Sequence, residues 1–290
     1  MTTIDTRITP PARTRPAQRT ITIAHSDDSD DIFNFYAWER NEVALPGVEA
    51  TFRRHHISVM NHAAAAEIFD VVNISSVMYP SVADRYWILA TGSSVGRGYG
   101  PMLVSKRRES LESLAGRRIA VADISTTGAA LAMMYCPDAQ FISRPYHLIA
   151  DAVLADEADA GVMIHEELLY FPEKGLRLVC NLGHAWQDDT GLPLPVGLNI
   201  ARKSLGRALA VAVQRTCRDS LDWALAHQAE VMQYVSRFGR GCADAFVPMF
   251  SNDDTRHMPP DVREGLSVLL ERVADLGLGP RLRSWEVIDG

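Results

Sequence analysis

From Arg19 onward, short β-branched runs alternate with helix-like runs, and the alternation starts afresh midway along the chain. Nothing else in the sequence limits the fold as strongly. Strands that alternate with helices are joined by crossover connections, which makes them parallel and gives a layered α/β architecture. In the first series "RTITIAH" and "GVEATFRRH" read as strands around the helix "DDIFNFYAWERN". "SVMNHAAAAEIF" then reads as a helix with Ser58 as its N-cap, followed by the strand "DVVNISSV".

"RYWILATGSS" and "GPMLVSKR" read as further strands with a Gly-rich joint between them. The second series follows: a short helix and strand in "SLESLAGRRIAVAD", a helix opening at "STTGAALAMMYC", the strand "AQFISR", the helix "YHLIADAVLADEA" and the strand "DAGVMIH". After "TGLPLPVGLNIARKSLG" the pattern is helical throughout. Two βα series with crossings near Gly100–Lys106 and Val196–Ala201 predict a two-lobed clamshell of the type II periplasmic-binding-protein kind, with a ligand cleft between the lobes. The expected organisation is a disordered leader over 1–19, a first lobe from 20–103 plus 199–290 that carries the C-terminal helices, and a second lobe over 104–198.

Composition narrows the partners. The 290-residue chain has a formal charge of −7, so it does not offer the basic surface that nucleic acid or an anionic membrane requires. No apolar run reaches membrane-spanning length, and the leader lacks the apolar stretch of a secretory signal; the default compartment is the cytoplasm. The four cysteines, Cys136, Cys180, Cys217 and Cys242, show no metal-ligand spacing and read as free, mostly buried thiols.

Several residues carry chemistry by type and place. His165 ends the strand "DAGVMIH" and would reach the cleft; an imidazole suits proton abstraction, and it equally suits a strand-end cap. Glu166 would point to the opposite face if the strand continued. Thr126, Thr127 and Gly128 open a helix, where free N–H groups bind carboxylate or enolate oxygen and where hydroxyls also serve as caps. Arg97 either clamps a substrate carboxylate or braces a hinge. Trp186 either walls the cleft or packs in the core. The acidic stretch "SDDSDD" fails as a calcium loop, because Ile32 and Phe33 stand where an oxygen ligand and a glycine are needed. Asp30 or Asp31 is expected to cap the following helix.

"TGSSVGRGYGPMLVSK", "LAGRRIAV", "STTGAAL", "DAGVMIHEELLYF" and "TGLPLPVGLNIAR" occur in this order, and together they resemble the menaquinone enzymes of the futalosine route. The resemblance runs from Ile21 to about Phe238 and is nearest to the 1,4-dihydroxy-6-naphthoate synthase branch, with the chorismate dehydratase branch as its sister. It implies a lyase that converts cyclic de-hypoxanthine futalosine, a small carboxylated substrate, without metal or redox cofactor. It also implies His165 as the catalytic base and Ser26, Asp31, Ser75, Ser93, Arg97, Thr126, Thr127 and Gly128 as substrate-binding residues. The chain departs from the family pattern at Asp27–Asp30, at Asn73 and at Val77. The added aspartates predict a cleft margin that repels a carboxylate unless it meets a hydroxyl-rich or cationic part of the ligand instead. Two other readings fit the same residues: a related lyase or dehydratase on a different carboxylated substrate, and a non-catalytic solute-binding clamshell.

Overall fold

The computed structural model describes residues 19–107, 109–238 and 240–290; the expected leader lies outside them up to residue 18. The first series forms β1 (Arg19–His25), α1 (Ser29–Glu39), β2 (Val48–Arg54), α2 (Ile57–Ala65), β3 (Val71–Ser75), β4 (Tyr86–Leu89) and β5 (Ser94–Gly96). The second forms β6 (Met102–Ser105), β7 (Arg118–Val121), α3 (Thr127–Tyr135), β8 (Gln140–Ser143), α4 (Ile149–Leu154), β9 (Ala160–Met163), α5 (Glu167–Tyr170), β10 (Arg177–Asn181) and α6 (Leu182–Thr190). The chain then runs through β11 (Leu194–Arg202), α7 (Arg207–Ala226), α8 (Gln228–Val235), α9 (Ala243–Phe250), α10 (Asp253–His257), α11 (Pro260–Asp275) and β12 (Val287–Ile288).

These strands make two sheets. The first has the order β12-β4-β11-β3-β1-β2, with β5 also on β11; the second has the order β10-β6-β9-β7-β8. In the first, β1 runs parallel to β2 and β3, and β11 returns antiparallel to β3 with Leu198 opposite Ile74. In the second, β7 runs parallel to β8 and β9. Met102, Leu103 and Leu194–Leu198 therefore pair in the sheets opposite to those that boundaries at 103/104 and 198/199 assign them. The parallel strands of both sheets end in loops that face one cleft, which is where α/β folds place ligands.

The local sequence explains the depth of each element. β3 is buried along its whole length, as expected for an apolar strand flanked on both sides. α1 is buried from Ser29 to Trp38, because α7, α8 and α9 cover it. Ser220 of α7 fastens it, donating to the Asn34 carbonyl and accepting from the Trp38 N–H. Ser58 does not cap α2: the helix begins two residues earlier than that cap requires, at Ile57, with His56 at the N-cap. Trp186 is fully buried in the core, where its Nε1–H donates to the Pro193 carbonyl at 3.2 Å, so it is a packing residue rather than a cleft wall. Among the described residues no helix is long and apolar enough to cross a membrane.

α6 begins against the crossing between the sheets. A Cβ at Gly183 would lie 2.1 Å from the Tyr99 carbonyl oxygen and 2.6 Å from the Gly100 nitrogen, both backbone atoms. Neither can rotate away, so Gly183→Ala must push α6 off the crossing. The expected cost is roughly 1–3 kcal/mol of unfolding free energy. Urea titration checks it; a midpoint equal to the parent's would show that the crossing is slack.

Candidate active site

Four chain turns meet at the cleft, which holds about 700 Å3 of space, the open solvent at its mouth included. The loop after β1 brings Ser26, Asp28, Asp30 and Asp31, and the end of β3 brings Asn73 and Ser75. The start of α3 brings Thr126, Thr127 and Gly128, and the residues after β9 bring Ile164 and His165. Phe246 and Phe250 of α9 add an apolar wall.

His165 is positioned by backbone and by partners. β9 stops at Met163, and His165 adopts φ 56°, in the left-handed region that a non-glycine residue occupies only under constraint. The chain thus turns before Glu166, which does not continue a strand to an outer face. Glu166 is fully buried, and its carboxylate accepts from the N–H of Ser29, the first residue of α1, and from the N–H of Arg240. His165 hydrogen-bonds through Nδ1 to Asp28 across the cleft. Its ring lies 4.7 Å from that of Tyr146, while Nε2 is buried and has no partner among the described residues.

Arg240 completes the cluster from the loop between α8 and α9. Its guanidinium donates to Asp28 at 3.1 Å and to the Tyr146 hydroxyl, and its Nε lies 3.1 Å from a Glu167 oxygen. Burial alone would raise the Asp28 carboxyl; the His165 and Arg240 charges beside it outweigh burial and hold it down at about 2. For His165 burial works against the charged ring, yet the Asp28 carboxylate prevails and its pKa is raised above 6.5.

Three aspartates of the acidic stretch line the cleft, and each has its own surroundings. Asp28 is the N-cap of α1 by position, but its side chain makes no cap bond and serves His165 and Arg240 instead. Asp31 does not cap the helix either: it accepts from the Ser26 N–H at 3.0 Å and from Asn73 Nδ2 at 2.9 Å. Asp30 lines the cleft without capping, and burial first, then its acidic neighbours, push its carboxyl well above the usual range. The three carboxyls that line the cavity are thus paired, hydrogen-bonded or driven towards neutrality. The predicted repulsive margin is largely cancelled.

The structure brings Ser26, Asp31, Ser75, Thr126, Thr127, Gly128 and His165 to one cavity and leaves two expected residues out of it. Ser93 is fully buried away from the cleft; the next residue, Ser94, lines it instead. Arg97 binds Asp254 through two bonds of 2.7 Å and Asp261 through a third, so it braces α10 and α11 and is not free to clamp a ligand. Thr126 is the N-cap of α3, accepting from Ala129 N–H, while Thr127 donates to Val196 O of β11 at 2.7 Å and ties the lobes together. At Gly128 a Cβ would sit 3.0 Å from Ile164 and from Val162, so the glycine also lets α3 lie close on β9. Among the described residues no group of three or more His, Cys, Asp or Glu side chains converges on a point that could hold a metal. The four cysteines are free, Cys136 and Cys217 buried, Cys180 and Cys242 partly so.

Two α/β lobes that close over a ligand cleft define the periplasmic-binding-protein fold. The alkanesulfonate-binding protein of Xanthomonas axonopodis superposes with a TM-score of 0.67 at 12% identity over 90% of this chain and 94% of its own. A crystal structure from Archaeoglobus fulgidus lies nearer, with a TM-score of 0.84 at 34% identity, covering 91% of this chain and all of that one. The sequence profile described as "Menaquinone biosynthesis" matches residues 21–275, and the chain belongs to that family. It is 32% identical to the 1,4-dihydroxy-6-naphthoate synthase of Streptomyces coelicolor over 91% of its length and 96% of the relative's. To the enzyme of the same name from Thermus thermophilus it is 34% identical, over 75% and 79%. It is an enzyme, with a lyase-type reaction.

The His165–Asp28 pair has a definite pH signature. Asp28 has a depressed pKa, so its contribution to stability is present above about 3.8 and is lost as the pH falls towards 2. His165 has a raised pKa, so its contribution is complete below 6.5 and is lost as the pH rises through the folded-state value. Asp28→Asn removes the carboxylate and leaves burial and Arg240 to oppose the imidazolium. The His165 midpoint, followed by NMR titration, is expected to fall by about one to three units. An unchanged midpoint would show that Asp28 does not set the charge of His165.

Proposed function

We propose that the enzyme converts cyclic de-hypoxanthine futalosine to dihydroxynaphthoate, with His165 as the base that starts the reaction. One observation carries the assignment of the base: His165 Nε2 is buried at the cleft with no partner, while Nδ1 is tied to Asp28. An ionised carboxylate only accepts hydrogen bonds, so Asp28 fixes the proton of the neutral ring on Nδ1 and leaves the lone pair on Nε2. The names of the two relatives above support the product, dihydroxynaphthoate.

In this reading the substrate carboxylate docks at the start of α3. The first-turn N–H groups of Thr127 and Gly128 have no intrahelical acceptor there, and the helix dipole favours an anion. Ser26, Ser75 and Asp31 face the hydroxyl-rich, sugar-derived end. His165 Nε2 takes the acidic proton beside the ketone; the electron pair moves into the carbonyl, the sugar-derived ring opens, and the remaining skeleton becomes aromatic. Ile164, Leu168, Phe246 and Phe250 offer the apolar surface that the flat product fits.

Purified enzyme incubated with cyclic de-hypoxanthine futalosine is expected to release dihydroxynaphthoate, read by absorbance and mass. Asparagine tolerates the left-handed backbone that residue 165 requires. His165→Asn should therefore fold, bind substrate and lose about 10²–10⁴-fold in kcat. A folded parent enzyme with no turnover would remove the proposed substrate. A His165→Asn variant as fast as the parent would remove the proposed base.

A further inference from the structure

We propose that Arg240 is a positioning residue for the base: it supplies the positive charge that lets His165 stand neutral, with its lone pair on Nε2, among three carboxylates. The assignment rests on the lyase reading above and deepens it. A base must give up its own proton before it can take one from carbon, and most of what surrounds His165 favours keeping that proton in place.

Those surroundings are acidic. Asp28 faces the ring from the start of α1, with Asp30 two residues further on, and Glu166 and Glu167 follow His165 in the chain. Asp28, Glu166 and Glu167 are all buried. On the α4 side the ring meets Tyr146, where burial pushes the hydroxyl up to about 12 and so keeps it a neutral phenol. The solvent-exposed His56 and His147 stand against the other sides of Tyr146. Burial also raises the Cys242 thiol beside Glu166, which therefore adds no charge. A buried imidazole beside a carboxylate holds its proton, because a neutral ring would leave the carboxylate unopposed.

Arg240 meets all three carboxylates. Its guanidinium donates to Asp28 at 3.1 Å, its Nε lies 3.1 Å from a Glu167 oxygen, and its Nη1 lies 3.8 Å from Glu166, which also accepts from the Arg240 backbone N–H. Among the described residues no lysine and no other arginine pairs with any of the three. With Arg240 in place the carboxylates keep a cation when the ring gives up its proton. Without it, the same loss leaves buried acids and no opposing charge. The charges accordingly pull His165 in opposite directions: burial works against the charged ring, Asp28 and then Glu167 raise its pKa, and Arg240 lowers it. Asp28 lies in the stretch where the chain departs from the family pattern, so Arg240 answers a charge particular to this chain.

Arg240→Gln keeps hydrogen-bond donors but removes the charge. The His165 midpoint, followed by NMR titration without substrate, is expected to rise by about one to two units, since the Arg240 side chain is 27% exposed and solvent screens part of its field. With cyclic de-hypoxanthine futalosine, the acid limb of kcat/KM should move up by the same amount, while the rate on the alkaline plateau stays within a few-fold of the parent's. Arg240→Lys keeps the charge and should leave the midpoint close to the parent's. Asp28→Asn added to Arg240→Gln should bring the midpoint back down, because the carboxylate that needed the arginine is gone. The proposal is overturned if the Arg240→Gln midpoint stays or falls, or if Arg240→Lys shifts it as far as Arg240→Gln does. It is equally overturned if Arg240→Gln lowers the rate by the same factor at every pH, as the loss of a merely structural arginine would. If the parent turns over nothing, the lyase reading fails and the base role with it, whatever the midpoints; an unshifted midpoint beside a working parent removes the role of Arg240 alone.

Discussion

The contact on which the site depends is the hydrogen bond between Asp28 of the first lobe and His165 of the second. A carboxylate taken out of water loses several kcal/mol of solvation, and the groups around it repay this only where geometry and further hydrogen bonds are good. The chain supplies those bonds. Arg240 donates to Asp28 from a third segment, and Tyr146 lies against the imidazole. Glu166 fixes the backbone on either side by accepting from Ser29 and from Arg240. The cluster therefore joins both lobes and the C-terminal helices at the cleft. An open cleft would separate Asp28 from His165, so the closed arrangement and the readiness of Nε2 come from the same contacts.

Much of this was legible in the sequence, and the part that was not has a common cause. Local pattern carries the strand–helix alternation, the cap at Thr126 and the placing of His165 at a strand end, because those depend on residues within a turn or two. The partners of Asp28 lie 137 and 212 residues away, and those of Arg97 lie 157 and 164 away. No local period reports such pairings. Arg240, in the Gly-flanked "FGRGC", had only a loop position to recommend it, which is where functional residues concentrate but not a signal by itself. Glu166 would face outward only if the strand ran on; the left-handed turn at His165 directs it into the core instead. Ser93 and Ser94 show the same sensitivity, since one residue of register decides which hydroxyl meets the cleft.

The acidic loop shows why a count of charges does not give a potential. Three aspartates line the cleft, and each is in a different state: one ionised between His165 and Arg240, one held by a backbone N–H and an amide, one driven towards neutrality by burial. Environments that push the pKa values of neighbouring acids apart are the usual means by which one site runs both acid and base chemistry. The sequence shows three similar residues; the difference between them lies wholly in what each one touches.

The first sheet has an order that bears on how the protein is made. β11 lies between β3 and β4, and β12 lies on the outer side of β4, yet both are translated after the whole second lobe. The second sheet, by contrast, draws all its strands from the continuous run Met102–Asn181. A chain leaving the ribosome can complete the second sheet at once, while β4 has both neighbours only after β12 emerges. Arg240 and the helices that cover α1 arrive in the same late interval. The half of the cleft that offers His165 is thus finished early, and the half that offers the aspartates is assembled around it.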